Sequence, residues 1–199
     1  MRDTKNDATL KSHLCDVVAN VVNVEKKYQL AMDVALGNRV QNVITNTVED
    51  VKYLIKYLND NDYGRVTFLP IASMKPHGID RPDVLKEQCV LGIAKDLISY
   101  DKKYQPIFNA ILGGIIIVDT YDNAVWVAKK YGYVHRIVTL TGERIMNDGS
   151  FEGGSVKSKG ASLLSYENQL AERTARKVGK LFGRQLVKST SKALETKSK

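Results

Sequence analysis

The chain has 199 residues, of which 43% are hydrophobic and 26% charged, and it carries a formal net charge of +8. This composition is typical of a globular protein with one large or two small domains, and no apolar run approaches the ~20 residues that a membrane span needs. Because Cys15 and Cys89 are too few for a disulfide framework and no signal peptide opens the chain, we expect a reducing cytoplasm and no membrane contact.

The first elements are predicted over residues 10–45. Residues 1–9 carry no pattern, and we interpret them as a leader or a truncated arm. The apolar run over 17–24 predicts a strand. A helix is predicted over 26–36 and a strand over 40–45, with Gly37 in the left-handed conformation that commonly ends a helix.

A second helix follows, because Thr47 and Asp50 have the spacing of a capping box. The helix that they open repeats apolar residues at a 3.6-residue period, which predicts one buried face. That face comprises Val48, Val51, Leu54, Ile55 and Leu58. A strand over 65–69 closes this half, and a proline-containing segment over 70–82 crosses to the next one.

The next half shows the same order of elements about 75 residues later. Lys-Lys-Tyr-Gln occurs at 26–29 and again at 102–105, and each copy leads to a Leu-Gly ending, at Gly37 and Gly113. Each ending is followed by a β-branched run, an amphipathic stretch and a strand that begins with arginine. In the second copy these are residues 115–118, 121–131 and 136–140. Trp126, in the helix predicted over 121–131, is expected in or near the core. The repeat predicts two similar subdomains, 10–82 and 83–160.

The tail differs from the rest of the chain in pattern and in charge. Residues 161–199 predict a coiled-coil helix stub, with Ala171, Ala175, Val178 and Phe182 as its seam, followed by a polar end. Residues 156–199 hold 11 Lys and Arg against Glu167, Glu172 and Glu195, so they account for the whole excess of +8. The predicted fold class is therefore α+β (mixed), with two similar α/β-type subdomains and a basic helical arm.

A catalytic or cofactor site is not predicted. His13, His77 and His135 lie in different segments without a Cys, Ser or carboxylate at motif spacing, so we interpret them as surface or loop histidines. The glycine-rich stretch 149–154 lacks the Lys-Ser/Thr of a phosphate loop. We predict neither an enzyme nor a metal or cofactor.

Glycines of the second subdomain have two interpretations. They allow tight turns, or they let another backbone approach an edge strand closely. The second interpretation predicts a homodimer interface that includes Gly113, Gly114, Gly149, Gly153 and Gly154.

Basic residues of the tail follow a helical spacing. They share one face with few acids, which is either a solvated coiled-coil flank or an anion-binding stripe for nucleic acid. We predict DNA binding by Lys157, Lys159, Arg173, Arg176, Lys177, Lys180 and Arg184.

Taken together, these motifs resemble the hinge domain of the SMC proteins, the long ATPases that organise chromosomes, and most closely the bacterial form. The matching stretches are Glu25-Lys26-Lys27-Tyr28, Ala35-Leu36-Gly37, Gln41-Asn42-Val43-Ile44, Gly64-Arg65-Val66-Thr67-Phe68-Leu69-Pro70, Asp96-Leu97-Ile98, Tyr104, Leu112-Gly113, Val118-Asp119, Tyr133-Val134-His135-Arg136-Ile137-Val138-Thr139-Leu140, Gly142-Glu143, Gly153-Gly154-Ser155 and Ser162-Leu163-Leu164-Ser165. Ser12 stands where the family usually has glycine, and the tail after Glu172 is more basic than the family's arms.

The resemblance implies a mechanical role in chromosome condensation and segregation. It implies a homodimer that joins two coiled-coil arms, contacts DNA weakly and without sequence preference near the arm junction, and lies at the nucleoid. ATPase heads and contacts with other condensin subunits would belong to parts outside this chain. The alternative is a two-lobed ligand-binding or enzymatic α/β protein with a cleft between its repeats.

Overall fold

The structure is a computed structural model that describes residue 10 and residues 12–154. Statements on structure below concern those residues. The basic tail, the predicted coiled-coil stub and residues 1–9 lie outside them.

Short strands and helices alternate along the described chain. The strands are β1 (Asp16–Val17), β2 (Asn23–Val24), β3 (Val43–Thr45), β4 (Phe68–Pro70), β5 (Val90–Ile93), β6 (Ile98–Ser99), β7 (Ile115–Val118), β8 (Arg136–Thr139), β9 (Arg144–Ile145) and β10 (Phe151–Glu152). The α-helices are α1 (Val18–Val21), α2 (Gln29–Leu36), α3 (Val48–Asp60), α4 (Gln105–Leu112) and α5 (Tyr121–Lys130). This mixture of helices and strands confirms the predicted α+β (mixed) class.

The first of two compact units comprises residues up to 20 together with 41–73. Its sheet has the order β1-β3-β4, in which β1 is antiparallel and β4 parallel to β3. Helix α3 connects the parallel pair. Leu54 and Leu58 of this helix are buried in a core with Leu10 and Val43.

Helix α3 begins at a capping box, as predicted. The Thr47 hydroxyl accepts a hydrogen bond from the Asp50 amide at 3.1 Å, and the Asp50 carboxylate accepts one from the Thr47 amide at 2.8 Å. The predicted buried face is only partly correct, because Val48 and Ile55 are exposed. In this short sheet of three strands, a narrow stripe of the helix is enough to cover the core.

The second unit comprises residues 21–40 and 74–154 of the described chain. Its main sheet has the order β10-β9-β8-β7-β5, with β7 and β8 parallel and the other neighbours antiparallel. All four residues of β7 are buried, which fits its inner position. Strands β2 and β6 form a separate antiparallel pair.

The order of elements recurs in the two halves of the sequence. A 3₁₀ turn over Lys26–Tyr28 precedes α2, and one over Lys102–Tyr104 precedes α4. Each half also contains a parallel strand–helix–strand unit, β3-α3-β4 and β7-α5-β8. Residues 21–40, however, pack in the second unit, so the units are not contiguous in sequence, and the ranges 10–82 and 83–160 stay a prediction.

The strand predicted over 17–24 is wrong. Its ends are β1 and β2, which pair with β3 and β6 in different sheets, and four of the five residues between them form α1. A chain that leaves one sheet for another cannot stay extended, although the valines favour a strand. The strand predicted from residue 40 begins at Val43, because a 3₁₀ helix follows Gly37.

The placement expected for Trp126 is also wrong, and that expected for His135 is met only in part. Trp126 is 46% exposed, since Ala124, Val127 and Ala128 form the buried face of α5 and leave the indole on the outside. His135 lies in the loop before β8, as one of the two alternatives for it expected, but it is not at the surface: it is 4% exposed, and its ring lies 5.7 Å from that of Tyr131.

Candidate functional site

The five glycines predicted at an interface all lie in the second unit and form two groups. Gly113 and Gly114 connect α4 to β7. Gly149 lies in the turn between β9 and β10, and Gly153 and Gly154 follow β10 directly. The surroundings of the two groups differ.

Gly113 is required by a close contact within the chain. A Cβ atom at this position would lie 2.1 Å from the carbonyl oxygen of His77 and 2.3 Å from that of Asn109. The His77 amide donates a hydrogen bond to the same Asn109 oxygen at 3.1 Å, which fixes the crossing segment against the end of α4. The absence of a side chain at Gly113 therefore has an intramolecular reason.

Gly114 makes room for a guanidinium. A Cβ atom there would lie 3.1 Å from Nη2 of Arg136 and 3.4 Å from the carbonyl oxygen of Gly78. The glycine thus allows the Arg136 side chain to lie over the start of β7.

A tight turn connects β9 to β10. The Ser150 amide and hydroxyl both donate hydrogen bonds to Oδ1 of Asp148, at 2.8 and 2.6 Å, and these bonds lower the pKa of Asp148. Gly149 has φ +84°, a conformation that L side chains rarely adopt. The turn therefore fixes the register in which Phe151 faces Ile145 and Glu152 faces Arg144.

Strand β10 is an open edge of the five-stranded sheet. Among the described residues it pairs with β9 alone, so its other side presents backbone groups that can pair with another strand. Phe151 is 45% exposed and contacts the ring of Tyr133 edge-on, with centroids 6.3 Å apart. Next to it, a Cβ at Gly153 would meet no atom closer than Cγ of Glu143 at 3.7 Å. Among the described residues, no close contact requires glycine at position 153, and the exposed Phe151 lies two residues before it.

Charged groups beside this edge are paired. Arg144 and Glu152 form an ion pair across β9 and β10. Glu143 accepts hydrogen bonds from the hydroxyls of Thr139 and Thr141, and these bonds lower its pKa. The exposed strand end is thus polar at its rim and apolar at Phe151, a combination that protein interfaces share.

The predicted DNA-binding residues lie outside the described part of the chain. They are Lys157, Lys159, Arg173, Arg176, Lys177, Lys180 and Arg184. Sequence reasoning also missed two features, the exposed Phe151 and a cavity that brings Arg39, Arg136 and Arg144 together. The arginines are separated by up to about a hundred residues, and only the fold collects them.

The chain matches a known protein family over more than half of its length. The family described as SMC proteins Flexible Hinge Domain matches residues 11–128. This chain belongs to the SMC hinge family. The match lies in the hinge and not in the ATPase head of SMC proteins.

Curated relatives of this hinge are chromosome partition proteins named Smc. The protein of Desulfitobacterium hafniense is 37% identical over 163 residues, which cover 80% of this chain and 13% of the relative. The protein of Bacillus subtilis is 33% identical over 162 residues, with 80% and 14% covered. The chain thus spans about an eighth to a seventh of the length of these relatives.

Solved hinge structures share the fold. The hinge domain of Geobacillus stearothermophilus SMC, solved as an asymmetric dimer, superposes with a TM-score of 0.70 at 27% identity and covers 85% of this chain and 68% of that chain. The hinge of Pyrococcus furiosus SMC superposes with a TM-score of 0.63 at 30% identity, covering 81% and 85%.

The described residues of the hinge contain neither a metal-binding cluster nor a membrane-spanning helix. No three His, Cys, Asp or Glu side chains within residues 12–154 are grouped so that they could hold a metal ion. No helix in the same range is long and apolar enough to cross a bilayer.

Proposed function

We propose that this chain is the homodimerisation hinge of a chromosome-organising SMC ATPase. In this function it joins two coiled-coil arms and contacts DNA without sequence preference near the arm junction. The observation that carries the proposal is the open edge at β10, where an exposed Phe151 is followed by Gly153, which no contact with the described residues requires to be glycine.

The edge supports self-association for a physical reason. An unpaired strand edge pairs readily with another strand, and native proteins normally protect it by charge, by a bulge or by a cover. Here Gly153 leaves the edge sterically open and Phe151 is exposed on it, although Glu152 and Arg144 form an ion pair beside them. A second copy of the hinge would supply the missing strand, and the solved Geobacillus relative is itself a dimer.

Not all five predicted glycines contribute equally to this proposal. Gly149, Gly153 and Gly154 lie at or beside β10, whereas the contacts of Gly113 and Gly114 are explained within the unit. The interface that we propose is centred on β10. Direct contact of a partner with Gly113 and Gly114 stays a prediction.

DNA contact is proposed from sequence and family alone. The excess charge of +8 falls in residues 156–199, where the Lys and Arg residues follow a helical spacing. Lys and Arg on one helix face can match phosphate spacing without reaching the base edges, which gives binding without sequence preference. For the same reasons we propose that the protein lies at the nucleoid in the cytoplasm. Contacts with other condensin subunits would belong to parts of the protein outside this chain.

The dimer is tested by one substitution with a matched control. Gly153→Gln adds bulk without charge at the edge, while its backbone φ lies outside the region that favours glycine. We expect the wild type to be a dimer and Gly153→Gln to be a folded monomer, by light scattering coupled to gel filtration with circular dichroism in parallel. Gly64→Gln adds the same side chain at a glycine with no atom within 4 Å of its Cβ and should stay dimeric. A Gly153→Gln variant that remains dimeric would place the interface elsewhere.

A further inference from the structure

Three arginines from separate segments of the second unit line one cavity of about 250 Å³. Arg39 lies in the 3₁₀ helix after α2, Arg136 is the first residue of β8, and Arg144 is the first residue of β9. The remaining lining is mostly small or apolar. It comprises Ala35, Leu36, Gly37, Asn38, Ile115, Val138 and Met146.

The cavity has an excess of positive charge. Three guanidiniums are balanced by one carboxylate, that of Glu152, which pairs with Arg144. The carbonyl end of α2 adds about half a negative charge at most. More than one positive charge therefore remains without a counter-charge among the described residues.

Arg144 is also short of a hydrogen-bond acceptor, and Arg39 has only a weak one within the protein. Nε of Arg144 is buried and has no partner in the described structure. Arg39 reaches the carbonyl oxygen of Ile111 only through a long contact of 3.5 Å from Nη1. A buried donor without an acceptor costs about 1–3 kcal/mol, and the cost is larger for a charged group, so an acceptor in the cavity would be favourable.

Arg136 is the central residue of the three. Burial lowers its pKa, and the positive charges of Arg39 and Arg144 lower it further. The guanidinium fills the space over β7 that the missing side chain of Gly114 leaves. Moving it away would leave that space empty. The fold keeps like charges together, and a bound anion would relieve their repulsion.

We propose that this cavity is an oxyanion site that takes a phosphate group. Guanidiniums bind phosphate oxygens through paired N–H donors, and three of them suit a group with two charges and several acceptors. The volume lies below the ~300–1,000 Å³ of typical small-molecule pockets, so the ligand is compact: free phosphate or one phosphate of a larger molecule. Nothing in the proposed hinge function requires this site, and it can be tested separately from the dimer.

The first experiment measures binding of inorganic phosphate to the full chain by calorimetry, with chloride used to hold the ionic strength constant. Arg39 is exposed, so Arg39→Gln should fold normally, and we expect it to weaken phosphate binding roughly tenfold, the loss of one charged hydrogen-bonding group. Arg144→Gln should weaken it by a similar factor. Arg39→Lys keeps the charge but loses the paired donors, and it should lie between these values and the wild type.

The matched control is Arg65→Gln. Arg65 is an exposed arginine outside the cavity, and its loss changes the net charge by the same amount. Its phosphate affinity should equal that of the wild type. Equal affinity in the wild type, Arg39→Gln and Arg144→Gln, or no phosphate binding by the wild type, would overturn the proposal.

A second arm identifies the source of the phosphate. The same variants are titrated with a short DNA duplex at the same ionic strength. If Arg39→Gln loses affinity for inorganic phosphate but keeps its affinity for DNA, the ligand is a free phosphate or a small phosphomonoester. If both affinities fall by a similar factor, the cavity holds a backbone phosphate of nucleic acid. Both results support an oxyanion site, and light scattering on the same samples reports separately on the dimer.

Discussion

Asp33 shows how the position of one side chain on α2 changes the pH dependence of stability. Burial raises the pKa of its carboxyl group from 3.8 to about 6. No hydrogen bond or ion pair within the described residues compensates this burial. Because the folded pKa lies above the unfolded one, this group stabilises the fold fully below pH 3.8, and that contribution is lost as the pH rises through 6.

We therefore expect Asp33→Asn to change the pH profile in one direction. The wild type should lose up to about 1 kcal/mol more stability than the variant between pH 5 and pH 8, a figure reduced by the carboxyl's partial contact with solvent. Urea unfolding of both proteins at the two pH values measures this difference. His135 acts in the opposite sense, since burial lowers its pKa, but it is common to both proteins and cancels. Parallel pH profiles would show that Asp33 is well solvated.

Gly113→Ala tests the closest backbone approach in the second unit. The added methyl would meet the carbonyl oxygens of His77 and Asn109 at 2.1 and 2.3 Å, and backbone cannot yield as a flexible side chain does. We expect a loss of roughly 1–3 kcal/mol or more in the free energy of unfolding. Gly64→Ala is the control, with nothing within 4 Å, and should be neutral or slightly stabilising. Similar stabilities of the two variants would contradict the contact.

At the scale of elements, the two strand–helix–strand units start their helices differently. Thr47 and Asp50 exchange backbone and side-chain hydrogen bonds at the start of α3, and Nδ1 of His13 contacts the Asp50 carboxylate at 2.7 Å. The burial of that carboxylate raises its pKa, but these hydrogen bonds outweigh burial and lower it overall. Thr120 caps α5 through one long bond, 3.3 Å from the Asn123 amide.

The difference predicts unequal effects of two equivalent substitutions. Thr47→Ala should destabilise α3 by about 1–2 kcal/mol, and Thr120→Ala should destabilise α5 by about 0.5–1 kcal/mol. Hydrogen exchange resolves the two helices separately, and protection in α3 should fall about 5–30-fold in the first variant. Thr47→Ser restores the hydroxyl and should restore protection. An equal loss in both alanine variants would mean that the reciprocal bonds contribute nothing extra.

Elements with local determinants were predictable from the sequence. The cap of α3, the apolar strand β7 and the helix end at Gly37 follow from side chains within a few residues of each element. Elements determined by distant partners were not. The valines of α1 favour a strand, but the residues on either side of α1 pair in different sheets. Trp126, expected in or near the core, lies instead on the exposed face of α5.

The glycine interface stays a prediction, and the sequence could indicate only part of it. Glycine spacing pointed to the segment around β10, since turn chemistry is local. It could not separate Gly113, where a Cβ would clash with two carbonyl oxygens, from Gly153, where a Cβ would clash with no described residue. That distinction depends on what lies across from each backbone. The arginine cavity has no sequence signature, since its members lie in three distant segments.

At the scale of the whole molecule, charge separates the chain into a neutral part and a basic tail. Residues 1–155 hold equal numbers of acidic and basic side chains, and residues 156–199 carry the net charge of +8. A neutral part of the chain gives DNA little attraction, whereas residues 156–199, with their net charge of +8, attract it over about one Debye length, ~8–10 Å at physiological salt. Binding should therefore depend on the tail and on ionic strength.

This expectation is tested by a salt titration of binding to a DNA duplex. If about four Lys or Arg side chains of the tail contact DNA phosphates, a plot of log affinity against log salt concentration should have a slope near −3.6. Affinity should then drop roughly a hundredfold between ~50 and ~200 mM salt. Changing Arg176 and Lys180 to Glu should weaken binding and flatten the slope while the dimer stays intact. Lys52 and Lys56 have the same four-residue spacing on the exposed side of α3, and changing both to Glu alters the net charge equally. Loss of affinity in the tail variant alone would assign DNA contact to the tail, whereas equal loss in both variants would show that net charge, and not the stripe, governs binding.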